Sequence, residues 1–313
     1  MSPTAIPGNL ILQSPTASKL ILVNDQRNPA GDAQITYGIT STGGVFNLRS
    51  LGTVDYEVEW GDGTVERSTS NTLAHTYAAG SYVLKVRTSQ TYRPFFSNST
   101  DEDQITSVAL VSDLDVGTSL SRAWLGANNM TDFNAAFGAT TGVVDFSLTW
   151  LNCASLTSFP SIDTSSGSNF QQTWQNCESL TSFPSIDTSS GSNFNYTWRG
   201  CTSLTSFPLI DTSSGTTFSN SWANCSSLTS FPANMFDTTG TLISSAFDVA
   251  WTNCALTAQS IENILVSLDT NGATGIILSI NGGTTAGQSS WTAAATTAYN
   301  NLIAKGWTIT ANP

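Results

Sequence analysis

The chain has 313 residues, of which only 10% are charged, and its formal net charge is -12. Nucleic acid and anionic membranes require basic patches, so this acidic composition argues against both as partners. No apolar run approaches the roughly 18 residues of a membrane span, which excludes membrane insertion.

Residues 1–33 are rich in proline, asparagine, serine and alanine, with one short apolar run at 20–23. They predict an extended arm that anchors the chain to other proteins, with a tail lacking fixed structure as the alternative. The first residues show neither the positive nor the apolar segment of a secretory signal peptide. We therefore expect synthesis in a cytoplasm, followed for action outside a cell by another route of release, such as a virus particle.

Residues 34–93 carry the pattern of short antiparallel strands. Apolar and polar residues alternate in four runs, at 34–37, 45–48, 56–60 and 82–86. The Asp-Gly turn at 61–63 is of the kind favoured in hairpins. Short strands with turns at this spacing predict a small β-sandwich.

A family resemblance adds to this pattern. The segment WGDGT at 60–64, followed by HTY at 75–77 and GSYVLKV at 80–86, resembles the PKD domain. The resemblance implies an Ig-like β-sandwich of a kind found in surface adhesins, extracellular enzymes and phage structural proteins. His75 stands where that family has a structural histidine, so we expect no catalytic role for it. Nucleophile and carboxylate partners at a useful spacing are also missing.

Residues 94–119 are predicted to be a linker, polar as far as Asp103, that leads into a repeated region at 120–256. The repeated segments contain cysteines at a period of 24 residues, followed by a fifth after 29: Cys153, Cys177, Cys201, Cys225 and Cys254. A fixed period in the twenties is typical of a solenoid, in which each coil buries its apolar face by stacking on its neighbours. A degenerate copy at Trp124 predicts a capping coil, and Trp251 marks a stretched last copy.

The spacing within one copy predicts its local structure. Phe170, Trp174 and Cys177 lie at i, i+4 and i+7, which predicts a short helical turn with one buried face. The LTSFP segment predicts a short strand that ends at its proline, and IDTSSG predicts a turn. We expect the cysteines to be buried core thiols and not a disulfide or metal set. Their number is odd, and neither a CxxC spacing nor a second histidine is present.

The pattern F-x3-W-x2-C-x2-LTSFP-x-ID resembles the BspA-type leucine-rich repeats, in which phenylalanine usually takes the tryptophan position. The resemblance covers about 120–256. It implies a right-handed solenoid with one short strand per coil, found in surface-exposed binding and adhesion proteins.

Residues 257–313 predict an α/β cap. The periodicity indicates a helix at 260–268, a strand at 276–280, a helix at 292–304 and a strand at 307–310. This tail looks like the carboxy-terminal segments of tailed-phage structural proteins. The expected fold class is therefore mainly β and modular: an Ig-like (PKD) β-sandwich, a leucine-rich-repeat solenoid and an α/β carboxy-terminal cap.

Two rows of residues in the repeats are candidate binding groups. For the carboxylates of Asp163, Asp187, Asp211 and, less regularly, Asp237 the sequence favours a local Asx-turn role, and a calcium site is the weaker alternative. The hydroxyls of Thr157, Thr181, Thr205 and Thr229 form a row along the predicted strand face. The sequence favours a plain polar surface for this row, and a surface that binds glycan or orders water is the functional alternative. Tyr196 is the candidate exposed aromatic residue for a glycan.

The absence of a histidine-based or paired-acid arrangement predicts that the chain is not an enzyme and needs no cofactor. We expect a phage virion structural protein on the particle surface, as a tail fibre, adhesin or capsid decoration. It would attach to other virion proteins through its amino-terminal arm, form an oligomer on the virion, and bind a host surface or glycan. A purely architectural decoration or spike protein is the first alternative. A bacterial surface adhesin is the second, disfavoured by the missing signal peptide.

Overall fold

The computed structural model describes residues 33–52, 54–96, 101–110, 114–136 and 138–313. The predicted anchoring arm at 1–33 therefore lies outside the described residues, except for Ala33. The described part is mainly β, as predicted, with one six-stranded mixed sheet, one two-stranded sheet and two α-helices.

Two long strands organise the amino-terminal sheet. β1 and β4 pair antiparallel along their whole length, and β2 and β3 extend the sheet beyond β4. These strands are β1 (Ala33–Arg49), β2 (Tyr56–Glu59), β3 (Val65–Ser68) and β4 (Thr72–Thr88). Alternate residues of β1 point inward, so Ile35, Tyr37 and Phe46 are fully buried while their neighbours stay accessible.

The segment predicted as a linker forms a hydrogen-bonded joint. It contains β5 (Ile105–Leu110), which pairs antiparallel with β1 and parallel with β6 (Asp132–Ala135) of the first repeat copy. Phe96 is fully buried, and its N–H donates to the Arg122 carbonyl at 3.0 Å. The sheet and the repeats thus share one hydrogen-bond network and one continuous hydrophobic cluster.

Between residues 119 and 254 the chain forms successive coils, here termed the stack. The N–H groups of Phe146, Leu148 and Trp150 donate to carbonyls of the next coil at 2.9, 3.0 and 2.9 Å. The N–H groups of Thr149 and Cys153 instead donate within the coil, to the carbonyl three residues earlier. Half of the donors therefore join coils and half close local turns.

This alternation corrects the prediction of a helical turn. Leu148 and Asn152 have φ angles of 61° and 65°, in the left-handed region, and the same happens in every coil. A left-handed residue cannot continue an α-helix of L-amino acids. A series of linked turns, and not a helix, places the phenylalanine, tryptophan and cysteine at i, i+4 and i+7 on the inside of the coil.

The prediction of a strand at LTSFP is wrong for most copies. Only the degenerate first copy has a strand there, namely β6, and one isolated bridge joins Ser206 to Ser230. The main parallel bridges join Ser119, Asp145, Asn169, Asn193 and Thr217 in series. Each of these residues lies just before the buried phenylalanine of its coil, or before the buried Leu120 in the first coil. Each LTSFP segment ends in a proline, which has no N–H to donate, so continuous pairing does not develop on that side.

Columns of aromatic rings fill the interior of the stack. Neighbouring tryptophans lie 5.5 Å apart for Trp150 and Trp174 and 5.9 Å apart for Trp174 and Trp198, in nearly parallel planes. A parallel column of phenylalanines runs beside them, with 5.4 Å between Phe146 and Phe170. The six indole N–H groups are buried without a hydrogen-bond partner in the described chain, so this column stabilises the fold through packing.

The cysteines belong to the same interior. All five are free and buried. Each thiol donates to the tryptophan carbonyl of the preceding coil, as from Cys177 to Trp150 at 3.3 Å and from Cys201 to Trp174 at 3.2 Å. Burial raises the pKa of the Cys225 thiol to about 12, so the reactive thiolate is scarce near neutral pH.

The carboxy-terminal cap contains the predicted helices and strands: α1 (Ala258–Asn271), β7 (Ile277–Ile280), α2 (Ala293–Ala304) and β8 (Thr308–Ala311). The hydroxyl of Thr257 caps α1 by accepting from the Ser260 N–H, and Gly272 ends the helix in the left-handed conformation. β7 pairs parallel with β8 and accepts the Trp251 N–H at 3.0 Å through Ser279. The cap therefore continues the hydrogen bonding of the last coil.

Truncation of one tryptophan of the aromatic column should lower the stability of the protein strongly. We expect Trp174→Ala to lower the free energy of unfolding by about 3–5 kcal/mol, because it removes a fully buried indole and leaves a cavity between two rings. The matched control is Leu209→Ala, on the same stack but 54% exposed, with an expected change within about 0.5 kcal/mol. Urea unfolding followed by circular dichroism measures both. Equal effects would contradict the central role of the column.

Candidate functional site

The histidine of the amino-terminal sheet belongs to a structural cluster. The imidazole of His75 stacks on the indole of Trp60 at 4.5 Å, and its Nε2 lies 2.8 Å from Oδ2 of Asp62. The expectation that His75 lacks a carboxylate partner is therefore wrong. The hydroxyl of Tyr77 donates to the Trp60 carbonyl at 2.8 Å. At Gly61 a Cβ atom would lie 2.6 Å from the Val83 carbonyl oxygen, so only glycine fits this turn. The cluster clamps the Gly-Asp-Gly turn onto the sheet.

The ionisation of Asp62 makes the stability of this cluster depend on pH. The Thr64 N–H and then the His75 ring stabilise the carboxylate and lower the pKa of Asp62 to about 2. A carboxyl whose pKa falls on folding adds stability above its unfolded pKa, and this stability is lost as pH falls through the folded value.

We expect the stability of the amino-terminal sheet to decrease between about pH 4 and pH 2 through this group. Asp62→Asn keeps an oxygen for the turn but removes the charge, so it should flatten this part of the pH profile. Urea midpoints at stepwise pH measure the effect, with Glu178→Gln, at an exposed position of the stack, as the control. A steep acid loss that persists in Asp62→Asn would contradict the assignment.

Three of the four candidate aspartates act on their own turns, and the fourth, Asp237, contacts helix α1. Oδ1 of Asp163 accepts from the N–H and the hydroxyl of Ser165 at 3.1 and 2.7 Å. Asp187 and Asp211 make the same contacts with the backbone two residues on, and Asp237 accepts from the Ser267 hydroxyl at 2.6 Å. The hydroxyl of Ser165 and then that of Thr141 lower the pKa of Asp163. In the described residues no three or more His, Cys, Asp or Glu side chains come together as a metal site.

These contacts favour the Asx-turn interpretation over the calcium interpretation. We expect about 5 mM calcium chloride, above the dissociation constants of weak extracellular calcium modules, to leave the thermal midpoint unchanged. The carboxylates already accept hydrogen bonds from nearby donors, so a metal ion could bind only by breaking these hydrogen bonds. A rise in the midpoint that Asp187→Asn abolishes, in scanning calorimetry, would show a calcium site instead.

The threonine row is exposed and continuous. Thr157, Thr181, Thr205 and Thr229 are all exposed, as is the serine that follows each of them. The Thr229 hydroxyl donates to the Thr205 carbonyl at 3.2 Å, and Thr257 of the cap extends the row by donating to the Thr229 carbonyl at 3.3 Å. The LTSFP segments contribute no charge and no exposed aromatic ring, so the row offers hydroxyl groups alone.

Tyr196 lies in a different part of the coil from the threonine row. It precedes the buried Trp198 and Cys201, whereas Thr205 follows the buried Leu204. Tyr196 is half-buried, and the guanidinium of Arg199 lies 5.7 Å above its ring. Arg199 was not a predicted site residue. The signal was present in the sequence, because Arg199 is the only lysine or arginine between residues 123 and 304.

The chain matched none of the protein-family models, curated proteins or solved structures with which it was compared. Within the described ranges, no helix is long and apolar enough to cross a membrane.

Proposed function

We propose that this chain is a non-enzymatic structural protein of a phage particle, displayed on the particle surface, that attaches to a glycan of the host surface. In this proposal residues 34–93 are a PKD-like β-sandwich, residues 94–119 connect it to the repeats, 120–256 are a BspA-type leucine-rich-repeat solenoid, and 257–313 are its α/β cap. The predicted arm at 1–33 attaches the subunit to other virion proteins, and the protein forms an oligomer there.

One observation carries the proposal. The stack is filled at every level by buried rings, while its outside presents polar groups repeated coil after coil. A filled interior supports a role in which ligands bind on the outer surface. Repeated hydroxyl and amide groups suit a repeating ligand such as a polysaccharide, because one spacing serves many contacts.

The joint supports display on a particle. β5 hydrogen-bonds to the sheet on one side and to the first coil on the other. Oδ2 of Asp101 also accepts from Asn47 at 2.9 Å, and Asn128 donates to Asp103 at 3.0 Å. A connection tied on both sides holds the stack at a fixed angle to the attached sheet, which suits a rigid protrusion.

The same joint favours the first alternative, an architectural decoration or spike without a ligand. The bacterial surface adhesin remains the second. A tail location and a capsid location are both compatible with the proposal.

The test uses the full chain on arrays of bacterial surface polysaccharides and on intact host cells, together with particles that lack the protein. Attachment predicts retention on a subset of polysaccharides and slower adsorption of the deficient particles. The attachment proposal is contradicted if the chain binds no polysaccharide and no host cell and the deficient particles adsorb normally. If those particles are also less resistant to heat, the architectural alternative is supported.

A further inference from the structure

Each coil contains two positions with a left-handed backbone, and they differ in the residues that occupy them. The position two residues after the tryptophan holds only asparagine or glycine: Gly126, Asn152, Asn176, Gly200, Asn224 and Asn253. These are the residue types that tolerate this conformation. The position two residues before the tryptophan has the same backbone but holds Arg122, Leu148, Gln172, Tyr196, Asn220 and Val249.

The second set is strained for most of its members. Their φ angles lie between 57° at Val249 and 63° at Arg122, where bulky and β-branched residues are uncommon because Cβ approaches the backbone. Asn220 occupies this second position in one coil, with a φ of 60°, which shows that a relaxed residue is accessible there. Strain at a defined position is typical of a site with a role besides folding.

These side chains do not fill the core. Leu148, Gln172 and Tyr196 are half-buried and Arg122 is exposed, whereas the neighbouring phenylalanine and tryptophan rings are fully buried. The copies at 169–192 and 193–216 also differ mainly in this part of the coil. Five of the seven differences fall between residues 171 and 178 in the first copy and the matching residues of the second: 171/195, 172/196, 175/199, 176/200 and 178/202.

Arg199 lies at the centre of this surface. It sits over the Tyr196 ring, and its Nε is buried without a hydrogen-bond partner. No ion pair to Arg199 is present among the described residues. The next residue is Gly200, where four of the other copies have asparagine, and a Cβ there would lie 2.4 Å from Oδ1 of Asn176. An unpaired cation is therefore held in place on an otherwise acidic chain.

Amide groups flank this cation on both neighbouring coils. On one side Nε2 of Gln172 donates to Oε1 of Gln175 at 3.0 Å, and on the other Nδ2 of Asn220 donates to the Ser219 hydroxyl at 3.0 Å. These amides have further donors and acceptors for an external ligand. The surface formed by Gln172, Gln175, Tyr196, Arg199 and Asn220 is termed the turn face.

We propose that the turn face binds an acidic glycan, with the sugar carboxylate on the guanidinium of Arg199. The planar guanidinium pairs with a carboxylate through two parallel hydrogen bonds, and the charge of the chain disfavours an anion elsewhere on the stack. The Tyr196 ring packs against the C–H groups of the sugar, and the flanking amides bind its hydroxyls. This inference rests on the proposed glycan attachment and specifies its site and ligand class.

The neighbouring coil supplies matched variants. Tyr196→Gln and Arg199→Gln each give the copy at 193–216 the residue that the copy at 169–192 already carries, namely Gln172 and Gln175. Both should therefore fold. Tyr196→Asn introduces a residue suited to the left-handed backbone, so its thermal midpoint should equal or exceed that of the unaltered chain.

Binding is measured by surface plasmon resonance to immobilised uronate and sialate oligosaccharides and to their carboxyl-reduced counterparts. We expect Arg199→Gln to abolish the preference for the acidic forms, and Tyr196→Asn to weaken binding about tenfold or more while the protein stays fully folded. Thr205→Ala in the threonine row should bind like the unaltered chain.

The outcomes separate the two proposals. Glycan binding that survives the turn-face variants, or that is lost in Thr205→Ala alone, overturns the turn-face assignment and leaves glycan attachment standing. Equal binding of acidic and carboxyl-reduced forms overturns the acidic ligand class. Binding of the unaltered chain to no glycan, acidic or neutral, overturns the proposed function together with this inference.

Discussion

The register between successive coils is the constraint on which the rest of the molecule depends. It is held by two interactions that require the same spacing: hydrogen bonds from every second N–H to the next coil, and rings that stack on their copies one coil away. The left-handed residues make this possible, since they turn alternate N–H groups outward along the stack. A shift of one residue would break both the ladder and the columns.

The ends of the stack show how this register is anchored. At one end β5 presents a strand edge to the first coil, and at the other β7 takes the place of a further coil. Open ends would expose unpaired backbone groups and aromatic rings to water. The joint and the cap therefore serve the same purpose, although one is built from a strand of a separate sheet and the other from alternating helices and strands.

The buried set could be predicted from the sequence, because the spacing of Trp174 and Cys177 identifies which side chains point inward. The conformation could not, since i, i+4 and i+7 fit both a helix and a series of turns. Two features distinguish the turns from a helix. Asn176 has a left-handed backbone, and its N–H donates to a carbonyl of the next copy, a partner that lies far away in the sequence. The role of Asp163 had a local signal in Ser165, two residues later. Arg199 was missed because charges were considered as a total and not by their place in the coil.

The near-identity of the copies has a consequence for size. Every interior coil presents the same backbone hydrogen-bonding pattern and the same ring columns to its neighbours, so neither the joint nor the cap distinguishes how many coils lie between them. Gain or loss of one 24-residue unit would change the height of the stack by one coil, about 4.8 Å at the spacing of hydrogen-bonded strands. The length of the stack can therefore change in steps of one coil, by recombination between repeats, without a change of fold.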